Sequence, residues 1–151
     1  MQNVNATRLE ALVRAAARAR QSGDFATALA IAGQAELERL AHPLLLRVQA
    51  EALAVAGRYA EAGQLLNRAL ALAPSDALTI TDIGRVLVAE NRVEEAIRAF
   101  EAAVTARPEL AAAWLELGSA CEIAGDDTAA RTAYQRAKSL APGKAEACAA
   151  L

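Results

Sequence analysis

Apolar residues recur along this chain at the spacing i, i+3, i+4, i+7, which places them on one face of an α-helix. They come in short runs broken at regular places. "LLLRVQAEALAVAG" is followed by "RYAEAGQLLNRALALAP", and "LTITDIGRVLVAEN" by "RVEEAIRAFEAAVTARP". No stretch alternates apolar and polar residues with Val, Ile, Thr and Tyr, so no strand is predicted. The breaks keep a period. Pro74, Pro108 and Pro142 lie 34 residues apart. Five residues before each lie Ala69, Ala103 and Ala137, eight before lie Leu66, Phe100 and Tyr134, and twelve before lie Ala62, Ala96 and Ala130. Gly23, Gly57, Asn91 and Gly125 keep the same period, as do Gly84 and Gly118.

Each period reads as two helices. Glycine and asparagine tolerate the left-handed conformation that closes a helix, so Gly23, Gly57, Asn91 and Gly125 stop the first. A proline disfavours helical geometry in the residue before it, so the prolines stop the second. Such a hairpin cannot bury its apolar face alone, and stacking hairpins gives one continuous core. Gly118 stands inside the helical run "WLELGSACEIAGD", where glycine costs about 1 kcal/mol relative to alanine. Its gain must be close approach: Gly118, Ala130 and Ala137 let two helices meet, and Trp114 and Tyr134 fill the space beside them in the core.

A 34-residue helix–turn–helix period with Trp, Leu-Gly, Tyr, Ala, Phe, Ala and Pro at set places resembles the tetratricopeptide repeat (TPR) family. The unit at 111–144 carries the pattern best, with Trp114, Leu117, Gly118, Ala130, Tyr134, Ala137 and Pro142, and Cys121 where the family often has tyrosine. The unit at 77–110 has Ile80, Ile83, Gly84, Leu87, Ala96, Phe100, Ala103 and Pro108. The unit at 43–76 begins weakly, with Leu46, Gln49 and Ala50, and ends well. The unit at 9–42 is degenerate: Ala32 replaces the large aromatic and Leu40 the proline. The resemblance implies an all-α fold over 1–151 as a single domain, a right-handed α-solenoid of about four antiparallel helix hairpins plus a short C-terminal helix. Residues 145–151 read either as that capping helix or as the start of a fifth unit in a longer polypeptide; their apolar character favours the second.

Composition narrows the function. Sixteen basic against 18 acidic residues give a net charge of −2, with no basic excess for a nucleic acid. No apolar run approaches the roughly 18 residues of a membrane span, and the N-terminus lacks a signal-peptide core. Cys121 and Cys148 read as reduced thiols of a cytoplasmic protein. His42 precedes Pro43, a favoured first helical residue, and reads as a linker or cap. Asp24, Ser75-Asp76 and Asp126-Asp127 open helices, where carboxylates satisfy free N–H groups. There is no phosphate loop, no metal motif and no catalytic constellation, so no cofactor, no metal and no enzymatic activity are expected.

What remains is a surface. The resemblance implies a concave groove lined by first helices and filled by a protein or peptide segment. Repeat phase places Glu10, Arg14, Arg20, Leu44, Arg47, Val48, Glu51, Leu78, Asp82, Arg85, Val88, Leu115, Glu116, Ser119 and Glu122 toward it. Arginines gather N-terminally, acids C-terminally, and the leucines and valines form an apolar floor; Arg85 is placed to pair with Glu51. A segment acidic at one end, basic at the other and apolar between would fit. In chaperone-binding members of the family, Lys, Asn and Arg residues of the groove clamp a C-terminal carboxylate. The matching positions here hold Val13, Ala17, Val48, Leu78 and Asp82, which disfavours that mode. Three functions follow: a non-catalytic interaction scaffold; the N-terminal module of a larger bacterial enzyme, a transferase or hydroxylase (the Ala/Arg-rich composition suggests the source); or self-association through exposed solenoid ends.

Overall fold

The computed structural model describes residues 2–142. Among them lie eight α-helices and no strand: α1 (Gln2–Gln21), α2 (Phe25–Leu37), α3 (Pro43–Val55), α4 (Tyr59–Leu72), α5 (Ala77–Ala89), α6 (Val93–Ala106), α7 (Ala111–Ile123) and α8 (Asp127–Leu140). Successive helices pack as hairpins: α1 with α2, α3 with α4, α5 with α6 and α7 with α8. The chain forms two compact units, Met1–Pro74 and Ser75–Leu151. The expected C-terminal helix at 145–151 lies outside the described residues. α1 begins before the repeat phase does, because nothing in its first two turns breaks a helix.

The helix ends follow the sequence signals closely. Gly23, Gly57, Asn91 and Gly125 all have positive φ, between 61° and 82°. Each lets the next N–H turn back to the carbonyl five residues earlier, as Asp24 N to the Ala19 carbonyl at 2.8 Å and Asp126 N to the Cys121 carbonyl at 2.9 Å. Before Pro74, Pro108 and Pro142, the residues Ala73, Arg107 and Ala141 share φ near −142° to −146°, extended as a pre-proline residue must be. α2 has no proline to stop it. Arg39 takes the left-handed conformation instead, with φ 56°, and Leu40 N closes on the Ala35 carbonyl at 2.8 Å.

The helix starts are capped as expected. Asp24 accepts from Thr27 N and Asp126 from Ala129 N, both at 3.0 Å, and Asp76 accepts from Leu78 N and Thr79 N. His42 caps α3: its Nδ1 accepts from Leu44 N at 3.1 Å, with Pro43 as the first helical residue. α4 and α6 start at Arg58 and Arg92, which lack such a cap bond and grip Glu61 and Glu95 in the first turn instead.

Each unit has its own core. The first is built mainly of small residues, with Ala16, Ala28, Ala32 and Ala35 packed against Leu12, Leu45 and Val48. The second gathers Phe100, Val104, Leu117 and Cys121 around Ala96, Ala113, Ala120 and Ala133. Gly84 and Gly118 are buried, and each lies under a ring 16 residues later. A Cβ on Gly118 would sit 2.6 Å from the Tyr134 ring, and one on Gly84 would collide with Phe100. In α3 the same position is Ala50, and its counterpart in α4 is Leu66; in α1 and α2 the pair is Ala16 and Ala32. Glycine appears where the facing residue is a ring, and alanine where it is smaller. Trp114, expected in the core, is half-buried: it packs against the cluster while its indole N–H donates to the Pro108 carbonyl at 2.8 Å. The atoms nearest to a Cβ on Gly118 all belong to the Tyr134 ring.

Two predictions follow from packing and charge. Gly84→Ala gains up to about 1 kcal/mol of helix propensity but meets a ring that is fully buried, so the overpacking cost of about 1–3 kcal/mol dominates and the variant unfolds at lower urea. Gly118→Ala meets a half-buried ring that can tilt and costs less, whereas Gly118→Leu costs more than about 1 kcal/mol. Urea midpoints for the three variants check this order. The second concerns acid. Glu38 is held below the usual carboxylate range by hydrogen bonds from Arg8, then from Gln34, and Asp24 by its bonds from Thr27. Carboxyls depressed in the folded state stabilise it above their unfolded values, near pH 4, and that contribution vanishes as the pH falls through the folded values. Melting temperature therefore drops between pH 5 and about pH 3, and the drop is smaller in Arg8→Gln with Asp24→Ala.

Candidate functional site

The candidate surface is carried by the first helix of each hairpin. In the first unit α1 lies beside α3. Glu10 and Arg14 are exposed and paired across one turn of α1 at 3.5 Å. Arg20, nearer the end of α1, reaches Glu51 of α3 at 3.2 Å. The other guanidinium nitrogen of Arg20, Nη1, is buried and finds no acceptor among the described residues. Leu44 is half-buried. Arg47 and Val48 are buried, at 8% and 5% exposure, and Val48 belongs to the core cluster with Leu12 and Leu45.

In the second unit α5 lies beside α7. Arg85 is the centre of a small network: its Nε donates to Glu116 on α7 at 2.7 Å, and its Nη1 to Asp82 one turn back on α5 at 3.1 Å. Leu78 and Leu115 are half-buried beside this network in sequence and stand outside the core cluster, whereas Val88 packs against it. Ser119 is exposed. Glu122 is exposed too, but its carboxylate accepts from the Tyr134 hydroxyl on α8 at 2.9 Å.

The sequence paired Arg85 with Glu51. The structure gives Arg85 to Asp82 and Glu116, and Glu51 to Arg20. Both cross-helix pairs span 31 residues, Arg20 to Glu51 and Arg85 to Glu116. That is nearly one helical turn short of the 34-residue period, because a long arginine reaches back along its neighbour. The expected gradient of charge is softened by these pairs. Exposed pairs of this kind contribute about 0–1 kcal/mol each, and they fix side-chain positions more than they stabilise.

Cys121 is buried, and its thiol is pushed up by burial first and by the charges of Asp126 and Glu101 next, which keeps it protonated and a poor nucleophile at neutral pH. Cys148 lies outside the described residues. Among the described residues no group of three or more His, Cys, Asp and Glu side chains could hold a metal ion. No helix among them is long and apolar enough to cross a membrane.

Repeat phase missed two features. Phe25, Leu29 and Val55 form an exposed apolar cleft between α2 and α3, with Phe25 57% and Val55 86% exposed. The signal for it was the phenylalanine directly after the turn "SGDF", where the third hairpin has the buried Val93. A second cleft lies further along the same two helices, over Ala32.

Comparison with known proteins agrees with this architecture. The mouse (Mus musculus) protein O-mannosyl-transferase TMTC1 is 34% identical over 88 residues, which are 56% of this chain and 9% of that protein. The chain thus matches less than a tenth of that relative's length. Thermobaculum terrenum O-GlcNAc transferase superposes with a TM-score of 0.77 at 26% identity, over 89% of this chain and 26% of the enzyme. The second TPR of Spaghetti (RPAP3), bound to the HSP90 peptide SRMEEVD, superposes with a TM-score of 0.61 at 17% identity, over 65% of this chain and 91% of that one. The tetratricopeptide repeat profile matches residues 12–77 and 81–145, and with the helical hairpins and their terminators this establishes that the chain belongs to the tetratricopeptide repeat family.

Proposed function

We propose that the chain is a non-catalytic interaction scaffold that holds a segment of a partner protein against its first helices. The observation that carries this reading is the pair Leu78 and Leu115, half-buried residues outside the core cluster that flank the Arg85 network on α5 and α7. Apolar side chains beside an ordered set of charges offer anchors and an orientation at once. Asp82, Glu116 and Glu122 outnumber Arg85 on these two helices, so a segment with leucine-like anchors and basic residues suits the second unit. On α1 and α3, Arg47 is buried and Arg14 and Arg20 are balanced by Glu10 and Glu51, so these positions set no preference of charge. A peptide bound to a protein of the same fold supports the mode of binding, while the clamp positions Val13, Ala17, Val48, Leu78 and Asp82 speak against a chaperone tail as the ligand.

A second reading has its own support. Similarity to two glycosyl-transferring proteins favours repeats that present a protein substrate to a catalytic region elsewhere in the same polypeptide. The intact mass of the natural protein separates the two: a mass near 15.7 kDa counts against the second reading, and a much larger one supports it.

Short peptides selected on the chain by phage display test the scaffold. Enriched sequences are expected to combine leucine-like anchors with lysine or arginine, and Leu115→Asp is expected to weaken them at least about tenfold, or 1.4 kcal/mol. Leu37→Asp, at a residue 87% exposed on α2, leaves them unchanged. Peptides that bind both variants equally would overturn the reading.

A further inference from the structure

The seam between α2 and α3 differs from its counterpart between α6 and α7 at four matched positions. Phe100 of α6 is fully buried, and the residue in phase with it on α2 is Ala32. Ala113 of α7 is matched on α3 by Leu45, which takes back part of that lost volume. Val104 and Leu117, both buried, are matched by Glu36 and Gln49. The Gln49 amide donates to Glu36 at 2.9 Å and to the Ala32 carbonyl at 3.3 Å, so the polar pair is satisfied without closing the seam. A cleft of about 290 Å³ remains, floored by Ala32, Leu40, Leu45 and Leu46. That volume lies at the lower edge of the range for small-molecule pockets, about 300 to 1,000 Å³, and has room for one inserted aromatic side chain.

Its rim is cationic. Arg39 and Arg68 stand on it against one carboxylate, Glu36. Glu36 already receives Gln49 on one oxygen and sits 3.8 Å from Arg68 on the other. Arg39 is exposed, held in the left-handed conformation by the turn that ends α2, and makes no ion pair among the described residues. A left-handed arginine is uncommon, and here the turn sets Arg39 among the residues that line the cleft.

We infer that this seam is a second docking site, which takes one aromatic side chain of a partner segment together with a carboxylate on the adjoining residue. The ring enters the cleft over Ala32, Leu45 and Leu46, and the carboxylate meets Arg39. An aromatic side chain buries about 150–250 Å² and so supplies the affinity, while the charge supplies orientation. The site lies wholly in the first unit, so it stands or falls separately from the surface on α5 and α7.

Three blocked dipeptides test it: acetyl-Phe-Asp-amide, acetyl-Phe-Asn-amide and acetyl-Ala-Asp-amide, titrated into the ¹⁵N-labelled full chain. Acetyl-Phe-Asp-amide is expected to saturate with a Kd on the order of 1 mM and to shift the amides of Ala32, Leu40, Leu46 and Gln49. Acetyl-Phe-Asn-amide binds at least about fivefold more weakly, and acetyl-Ala-Asp-amide leaves these amides unmoved. Arg39→Asn, a residue that suits the left-handed turn and so preserves the fold, brings the aspartate peptide to the level of the asparagine peptide. Arg39→Lys restores most of the difference. Equal binding of the first two peptides, an Arg39→Asn chain that still discriminates them, or shifts confined to α5 and α7 would overturn the proposal.

Discussion

Phe100 and Tyr134 each lie flat on a glycine of the preceding helix, and that exchange of volume sets the distance between the helices of a hairpin. A ring can occupy the crossing only if the facing residue gives up its Cβ. A Leu66 in the same place leaves room for Ala50, and an Ala32 leaves room for Ala16. Along the chain the crossing therefore passes from alanine on alanine, through leucine on alanine, to ring on glycine. The second unit gains larger dispersion contacts from each hairpin, and the first gains backbone approach between small residues.

The open seam of the first unit goes with its alanine-on-alanine crossing. Once Ala32 stands where a ring would, the neighbouring hairpin sees a gap, and Leu45 fills only part of it. Gln49 and Glu36 then stand where Leu117 and Val104 do in the second unit, and their mutual hydrogen bond makes a polar seam tolerable. The ion pairs follow another logic. Arg20 with Glu51 and Arg85 with Glu116 tie adjacent first helices side by side, within each unit, at the surface where a partner segment is expected. They trade side-chain freedom for a fixed charge pattern before any partner arrives.

What was legible in the sequence was whatever acts within a few residues. Gly23, Gly57, Asn91 and Gly125 declare their left-handed turns because few other residues adopt them cheaply, and a proline constrains its neighbour wherever it stands. Gly118 could be read because its cost needed a compensation one hairpin away, at a distance the period supplied. Arg39 could not be read, since arginine has no preference for its conformation and only the closing bond from Leu40 imposes it. Nor could the partner of Arg85, because the reach of a long side chain decides it over a range wider than one helical turn. The buried state of Arg47 and the link from Glu122 to Tyr134 belong to the same class: the side chain's destination depended on its neighbours.

The hairpins also say something about how the chain finds its structure. Each first helix packs most heavily against the helix that directly follows it in sequence, so the loops closed in forming a hairpin are short. Chains dominated by such local contacts collapse quickly, and in repeat proteins any sufficiently stable hairpin can serve as the seed from which order spreads. The ring-on-glycine hairpin of α5 with α6 carries Phe100, the largest fully buried side chain among the described residues, and is the hairpin best supplied with burial to serve as such a seed.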